Sequence, residues 1–582
     1  MEKLFYSFTC VLVVSCILSA EPCRAQGRHP KNGPLISGLT YDSIKQTAVT
    51  VFWNTDSQAD SKILWMAPDS NYQPLVFTDS TYFSAAVTSH VISLSNLQPA
   101  TIYKYRVISQ NAGGSAVDSG YFLTQSASTG KVDVYFNHTV DTTVSTGEKA
   151  NGNQSFSDLL VNRIDSAKYS IDVTLWELSK ETAVSNALIR AKDRGVKIRF
   201  IYTNNTPDSP LVDSLINHDI PVLKRNYDTI HSMHNKFWIF DYRYNSDAGR
   251  KYLWTGSTNV SHAQFYEDRN NIIVIQDESL CAAYTREFEE MWGSHTDNFI
   301  KARAKFGKEK VNNVPHILNV AGTRMEVYFA PSDSVPSHDC ALMKTKTTKS
   351  LFFCMYKFTL SNFEDTLHAI FNAGKPVSGV FDSSNSTDAN CAYPRMKGRT
   401  VANTWNPPAD VFIDTIDGLL HHKYFIIDAN TTGGNKITVT GSFNWEPDAS
   451  YYNDENELMV FDPRVNNLYF QEFMARYRES GGTSIGMQNI GKEALSNFYL
   501  GQNFPNPFDR STTIRYELPV PGFVRLSVFD VHGREVGILV NEKQNPGSHE
   551  VNWNAAQFPA GIYCYRLTTG GFTETRKMVL TK

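Results

Sequence analysis

Apolar and polar positions change rhythm three times along the chain. From about residue 31 to 126 they alternate in short runs, "AVTVFWNT", "SHVISLSNL", "IYKYRVISQ" and "GYFLT", separated by turn-forming residues. A period of two with frequent turns predicts a β-sandwich. From Lys131 the rhythm becomes mixed. "KYSIDVTLWELS" is an apolar strand, and "ETAVSNALIRAKDRG" gathers Ala183, Val184, Leu188 and Ala191 on one helical face and stops at Gly195; "VKIRFIYT" is the next strand. Strand, helix, strand predicts an α/β unit with a parallel sheet under helices. From about Leu495 short strands and Pro/Gly turns return, which predicts a small all-β domain.

The mixed pattern is written twice. "VDVYFNH" is echoed by "MEVYFAP", "KYSIDVTLWELS" by "KSLFFCMYKFT", and "AVSNALIRAKDRGVKIRFIYT" by "FEDTLHAIFNAGKPVSGVFDS". Two similar α/β halves are therefore expected over 131–300 and 318–480, joined by a linker at 301–317. Within that linker "KARAKFGKEK" reads as a solvated connection, with a local basic patch as the alternative.

Composition adds limits. Of 582 residues, 41% are hydrophobic and 20% charged, the profile of a multidomain globular protein. A net charge of −4 gives no overall attraction to nucleic acid or anionic membranes. Residues 1–25 read as a secretory signal peptide: Lys3, an apolar run from Leu4 to Leu18, then small residues with cleavage sites at Ala20 or Ala25. The apolar run is too short and too interrupted for a spanning helix. Cys281, Cys340, Cys354, Cys391 and Cys564 show no metal-ligand spacing. Export permits a Cys340–Cys391 disulfide, and Cys354 is expected to be a buried thiol.

The chemistry lies in a duplicated polar set. "HSMHNKFWIFD" and "GLLHHKYFIID" each place a His, a Lys two residues on, and an Asp five residues later: His234, Lys236 and Asp241, then His421, Lys423 and Asp428. Residues i and i+2 of an extended segment share a face, and a buried His with a buried Lys is costly unless both are used. "TGSTN" follows with Gly256, Ser257 and Asn259, and "TGSFN" with Gly441, Ser442 and Asn444. Hairpins would return each Ser and Asn to its His and Lys. The glycines are expected to let backbone approach an anion. Each half thus offers a cation, a hydroxyl, an amide and an imidazole, the makings of a phosphate cradle with a nucleophile inside. Two imidazoles on opposite sides of one phosphorus supply both attack and proton donation. His422 is expected on the face opposite His421, and His231 is a candidate substrate contact.

These residues resemble the HxKxxxxD and GSxxN-type signature of the phospholipase D superfamily over 131–475. The resemblance implies that His234 and His421 are the catalytic histidines and that Lys236, Lys423, Asn259 and Asn444 bind phosphate, with Ser257 and Ser442 in the same pocket. Asp241 and Asp428 would be structural. It also implies a covalent phosphohistidine and no cofactor or metal. In the family a downstream carboxylate often orients a histidine. Glu455 in "NDENELMVF" fits that role, and "EDRNNIIVI" puts Arg269 at the aligned position. If the carboxylate backs the other lobe's histidine, Glu455 serves His234, which would make His234 the nucleophile and His421 the general acid.

The flanks carry their own resemblances. Trp53, Leu97, Pro99, Tyr103 and Tyr105 within 31–126 resemble a fibronectin type III domain. "QNFPNPF", "YELP", "FDVHGREV", "PGSHEVNW" and "GIYCYRL" within 495–582 resemble the type A C-terminal sorting domain of the type IX secretion system, an Ig-like β domain. The expected protein is a secreted or cell-surface phosphodiesterase with two α/β lobes between two β domains, and the type IX machinery as a partner. Its substrate is phospholipid or, alternatively, nucleic acid. Phe237, Trp238, Phe265, Tyr266, Tyr424, Phe443 and Trp445 favour lipid if they face the site. A non-catalytic surface binder is the reading from another class. Two lobes in one chain complete a site, so no dimer is required.

Overall fold

A computed structural model describes residues 33–67, 76–203, 209–225, 231–245, 247–399, 404–429, 431–483, 499–518, 522–545, 547–569 and 572–581. The signal-peptide segment lies outside them.

The N-terminal domain is a β-sandwich. The Ala48–Met66 strand breaks register between Asn54 and Ser61, so its first half pairs with Ile36–Asp42 and its second with Ile102–Asn111. A bulge bends a strand and raises its twist, which lets one strand serve both layers. Trp53 and Val51 are fully buried, and the Tyr103 hydroxyl accepts from the Gln98 amide at 2.8 Å. The domain is docked on the lobes. The Tyr41 hydroxyl bonds both backbone groups of Ile317, and Ser126 donates to Asp277 at 2.6 Å.

Both central lobes are helix-covered sheets. In lobe 1 the strand order is 222–224, 197–202, 170–175, 237–240, 252–256, 271–276, 132–136. Lobe 2 repeats it as 410–413, 377–381, 351–355, 423–427, 437–441, 455–461, 323–330, with 317–320 at its end. The sheets are mixed, not parallel throughout: pairs up to 170–175 and 351–355 are parallel and all beyond them antiparallel. The parallel part comes from strand–helix–strand crossovers. The antiparallel part comes from the short returns after each His-x-Lys segment, which carry no crossover helix.

The outer faces carry the helices Phe156–Ser166 and Thr182–Asp193 in lobe 1, and Val335–Lys346 and Ser361–Asn372 in lobe 2. The inner faces share one core. Phe237, Ile239 and Ile273 of lobe 1 join Val327, Phe352 and Ile426 of lobe 2 around the helices Glu278–Trp292 and Pro463–Glu479. Both helices are buried along nearly their whole length, so the lobes form one apolar body rather than two units on a tether.

Two expectations are corrected here. Cys340 and Cys391 are both free thiols, buried in the same lobe-2 core but unbridged. The 301–310 run is also not a loose linker: Lys305 pairs with Glu290 at 3.3 Å, the Gly307 amide donates to Asp454 at 2.7 Å, and Lys310 is fully buried against Glu287 and Asp454. Cys354 is buried, as its apolar strand requires.

The C-terminal domain packs a sheet of 499–500, 511–518 and 547–554 on one of 535–544, 522–529, 561–569 and 572–580. Leu526, Trp553 and Tyr565 lie in its core.

Candidate active site

The site is assembled where each His-x-Lys segment leaves its own lobe. His234 and His421 stand just before the strands Phe237–Phe240 and Lys423–Ile427 rather than inside them. Each is held by a backbone bond to the opposite lobe. The His234 amide donates to the Asp454 carbonyl at 2.8 Å, and the His421 amide donates to the Arg269 carbonyl at 3.0 Å. Short parallel bridges, Met233 with Asp454 and Arg269 with Leu420, fix these crossings. The histidines are thereby brought to one place from two sheets. His421 feels the charges of Lys236 and His234.

The matching crossings set the register between the halves. Arg269 corresponds to Asp454, and therefore Asn270, not Arg269, corresponds to Glu455. The shared asparagines Asn271 and Asn456 confirm it: each amide N donates at 3.0 Å to a serine fourteen residues earlier, Ser257 or Ser442. The alignment placing Arg269 opposite Glu455 was one residue out.

The backing groups are exchanged between lobes and differ in charge. His234 Nδ1 donates to Glu455 Oε2 at 2.7 Å. His421 Nδ1 donates to Asn270 Oδ1 at 3.0 Å. The direction of the second bond follows from its network. Asn270 Nδ2 is spent on the Gln264 carbonyl at 3.0 Å, which leaves Oδ1 as acceptor for both His421 and Ser257. Both imidazoles therefore carry their hydrogen on Nδ1 and present Nε2 to the pocket.

The serines are occupied differently from the expectation. Ser257 Oγ donates to Asn270 at 2.8 Å and Ser442 Oγ donates to Glu455 at 2.5 Å. Each hydroxyl hydrogen is committed to orienting the group behind a histidine, so it is not available to a phosphate oxygen. The glycines also have another cause. A Cβ on Gly256 would meet the Asn271 carbonyl at 2.2 Å, and one on Gly441 the Asn456 carbonyl at 2.1 Å. They permit close strand pairing rather than approach to an anion.

Lys236 and Lys423 are almost fully buried, and each Nζ donates to the carbonyl of its own histidine, at 2.9 and 2.7 Å. Burial pushes Lys236 down to about 7 and Lys423 well below its ordinary value, where the neighbouring Lys236 adds to the effect. Burial likewise drives His234 down to about 4, against the pull of Glu455, and His421 well below the usual imidazole range. Burial works to raise Glu455, but His234 and Lys236 outweigh it and hold the carboxyl below its ordinary value. Glu455 acts on both lysines and on His234; Glu177 also acts on Lys236, and Glu446 and Asp382 on Lys423.

Asn259 and Asn444 each stand two residues beyond the serine that orients a backing group. The Asn259 amide N donates to Gln264 at 3.0 Å, and Asn444 Nδ2 donates to Glu446 at 3.0 Å. The Oδ1 of each is buried and has no partner among the described residues. Turning the Asn444 amide over would give up its bond to Glu446.

Asp241 and Asp428 stand apart from the pocket, each at positive φ. Asp241 Oδ1 accepts from the amides of Lys168, Tyr169 and Ser170, and Asp428 Oδ1 from those of Thr348, Lys349 and Ser350. They tie the end of each motif strand to the turn before the neighbouring one. His422 is buried on the opposite side from His421, bonded to Glu472 at 2.9 Å and Asn271 at 3.0 Å. His231 stacks on Tyr452 at 4.2 Å.

Two wall residues escaped the sequence reading. Trp176 meets His234 edge-on at 6.1 Å, and Tyr356 lies 4.9 Å from His421 with Lys423 Nζ 4.7 Å from its ring centre. Trp176 follows the strand 170–175 and Tyr356 the matching strand 351–355, so the echo of "TLW" by "CMY" carried the signal. Conversely, Phe237, Trp238, Phe265, Tyr424, Phe443 and Trp445 are buried in the cores. Only Tyr266 of the seven aromatics once expected around the site is exposed.

Comparison with known proteins agrees with this architecture. Residues 160–292 and 340–477 match the family "Cardiolipin synthase, PLD-like domain". Residues 35–124 match "Purple acid Phosphatase, N-terminal domain", so the fibronectin-like sandwich is of that type. Residues 502–581 match "Secretion system C-terminal sorting domain". Among curated proteins, the mitochondrial cardiolipin hydrolase of Mus musculus is 26% identical over 130 residues, 22% of this chain and 52% of that protein. The phospholipase D of Rickettsia prowazekii is 37% identical over 67 residues, 12% of this chain and 30% of that one. The chain spans about half or less of the length of these relatives. Among solved structures, the phospholipase D family member Nuc of Salmonella typhimurium is 20% identical, covering 28% of this chain and 99% of that one with a TM-score of 0.24. The phosphatidylserine synthase of Haemophilus influenzae is 12% identical, covering 59% and 86% with a TM-score of 0.39. The two central lobes belong to the phospholipase D-like family, carried between a purple acid phosphatase-type N-terminal sandwich and a C-terminal secretion sorting domain.

Proposed function

We propose that the protein is an exported phosphodiesterase that works through a phosphohistidine, with His234 as nucleophile and His421 as general acid. The carrying observation is the unequal backing of the two histidines: carboxylate on His234 Nδ1, neutral amide on His421 Nδ1. Attack on phosphorus builds positive charge on the imidazole that attacks, and Glu455 stabilises that charge. A proton donor needs the opposite, a readiness to lose charge, and Asn270 offers no counter-ion to hold it.

In the first step the His234 Nε2 lone pair forms a bond to phosphorus. The bond from phosphorus to the leaving oxygen breaks, and His421 Nε2–H donates its proton to that oxygen. In the second step neutral His421 takes a proton from water as the water oxygen bonds phosphorus. The P–N bond then breaks, releasing a phosphomonoester and restoring His234. Lys236 and Lys423 hold the non-bridging oxygens as point charges, and Asn259 and Asn444 donate from either side. An anion in the pocket raises the depressed lysines and His421, so substrate binding itself charges the proton donor.

The proposed substrate is a phospholipid, supported by the names of the curated relatives. The secretion tail supports type IX export to the cell surface or beyond, and no described helix is long and apolar enough to cross a membrane. The test incubates the full chain with phosphatidylcholine vesicles or single-stranded DNA, in EDTA, with mass spectrometry of the products and a His234→Ala control. Headgroup release that the control lacks supports the reading. Cut DNA with intact lipid moves the substrate to nucleic acid, and inertness toward both leaves the surface-binder reading.

A further inference from the structure

The segment that joins the lobes lines a groove of about 420 Å³ beside the site. Lys301 and Lys308 of that segment face Lys224, Arg225 and His231 of lobe 1 and Tyr452 of lobe 2. Among the described lining residues Glu309 is the one acid, against Lys224, Arg225, Lys301 and Lys308, in a protein whose net charge is −4. Neither Lys301 nor Lys308 has an ion-pair partner among the described residues, and both are exposed. His231 Nδ1 is buried without a hydrogen-bond partner among the described residues.

The groove is built, and it is tied to the catalytic pair through Asp454. Asp454 accepts from Arg225 at 2.6 Å through Oδ2 and from the Gly307 amide at 2.7 Å through Oδ1. Its carbonyl receives the His234 amide, and the next residue is Glu455. His231 and Tyr452 are each three residues from His234 and Glu455 respectively, which keeps the groove wall within about 10 Å of the pair. Tyr452 has no free ring face: His231 stacks on it at 4.2 Å and Lys308 Nζ sits 4.2 Å from its centre. A nucleobase would need an open aromatic face. What the groove offers is ammonium and imidazole donors, which suit a phosphate.

We propose that this groove is a second anion subsite, occupied by the phosphate next to the scissile one in a substrate that carries two phosphodiester groups. This rests on the phosphodiesterase reading. Lys301, Lys308 and His231 then set specificity without touching the reacting atoms. A diphosphatidyl headgroup and a dinucleotide step share this chemistry.

The experiment compares the full-length wild type with Lys301→Ala/Lys308→Ala on one single substrate and two substrate pairs. These are bis(p-nitrophenyl) phosphate, with one phosphodiester; cardiolipin against phosphatidylglycerol vesicles; and a trithymidylate against a dithymidylate. Both lysines are exposed, so the fold should survive, and Lys301→Arg/Lys308→Arg tests rescue. The expected result is unchanged kcat/KM on bis(p-nitrophenyl) phosphate and a loss of about tenfold on a two-phosphate substrate, mainly in KM and restored by arginine. The pair of substrates that shows the loss identifies the source of the second phosphate. Equal loss on all substrates, or loss on none, overturns the subsite. Should the wild type hydrolyse none of them, the catalytic reading fails separately. Inorganic phosphate titrated by calorimetry then decides: one site fewer in the alanine variant supports the subsite, and an unchanged number overturns it.

Discussion

The two lobes share a frame and differ in one side chain of consequence. Both carry His-x-Lys, Gly-Ser-x-Asn, a serine that orients a backing group, and an aspartate that ties down the motif strand. Lobe 2 sends a carboxylate, Glu455, to the histidine of lobe 1, and lobe 1 sends an amide, Asn270, to the histidine of lobe 2. Because the backing groups are exchanged, neither lobe owns a complete histidine. A duplicated fold becomes useful for two-step chemistry when its copies stop being equivalent, and here the difference is one of charge on otherwise equal geometry.

The largest effect should come from removing the histidines themselves. His234→Ala should abolish turnover on every substrate, a loss of about 10⁴-fold or more, since no nucleophile remains. His421→Ala should cost about 10²–10⁴-fold on an alkyl phosphodiester and much less on bis(p-nitrophenyl) phosphate, whose leaving group needs no proton. The same leaving-group dependence in both variants would erase the assigned division of labour. Trapping and peptide mapping should place the phosphoryl group on His234.

Next in size is the backing carboxylate. Glu455→Gln gives His234 an amide backing like that of His421, and kcat should fall about 100-fold, or about 2.7 kcal/mol of barrier. The reverse change, Asn270→Asp, gives His421 a counter-ion. It should slow leaving-group protonation by about tenfold and move the proton-donor limb of the pH–rate profile upward, because a nearby carboxylate favours the imidazolium. A rate rise in Asn270→Asp would sink the assignment of His421 as acid.

The lysines give a smaller, pH-dependent effect. Burial holds Lys236 at about 7, and a bound anion raises it. Lys236 therefore takes up a proton on binding to a growing extent as pH rises through 7, so tungstate should bind about tenfold more weakly at pH 9 than at pH 7. Proton uptake read by calorimetry in buffers of different ionisation enthalpy checks this. The free protein has a related sign. His234 titrates at about 4 when folded, against 6.5 as its ordinary value, so its contribution is present above pH 6.5 and is lost as pH falls toward 4. Thermal stability should drop across that window, and less so in His234→Ala.

Much of this asymmetry was legible in the sequence, and the misses have physical causes. The duplicated polar set stood out because His and Lys at i, i+2 inside apolar segments are costly without a use. The cross-lobe role of Glu455 followed from the resemblance. Asn270 was missed because the register between copies is set by hydrogen bonds at the lobe crossing, Arg269 opposite Asp454, which residue types alone do not reveal. The serines and glycines were assigned to the ligand because both types serve anions elsewhere. Here Ser257 and Ser442 steer the backing groups, and Gly256 and Gly441 relieve strand contacts of 2.2 and 2.1 Å. The mixed sheets escaped because the sheet was read from its strand–helix–strand part alone, although the hairpins expected after each His-x-Lys segment already require antiparallel neighbours. The basic run at 301–310 looked like a linker because nothing local marks Lys310 or Gly307 as pinned from lobes 1 and 2.

The smallest expected effect on rate is at the pair where the lobes agree. Asp241 and Asp428 each collect three backbone amides through Oδ1, and each adopts positive φ, 54° and 58°. Asp241 also pairs with Arg250 at 3.0 Å, and Asp428 accepts from the Asn435 amide at 3.0 Å. Asparagine can keep the shape and the positive φ but weakens the charge-assisted bonds. Asp241→Asn and Asp428→Asn should each cost about 1–3 kcal/mol of stability while kcat at low temperature stays within about twofold, since neither carboxylate faces the pocket. Thermal melts alongside rates at 10 °C measure the two separately. Equal behaviour of the two variants would show that the lobes are equivalent as scaffold and unequal only in chemistry. A kcat loss confined to one of them would mean that its strand also positions a histidine, and the asymmetry would then run deeper than Glu455 against Asn270.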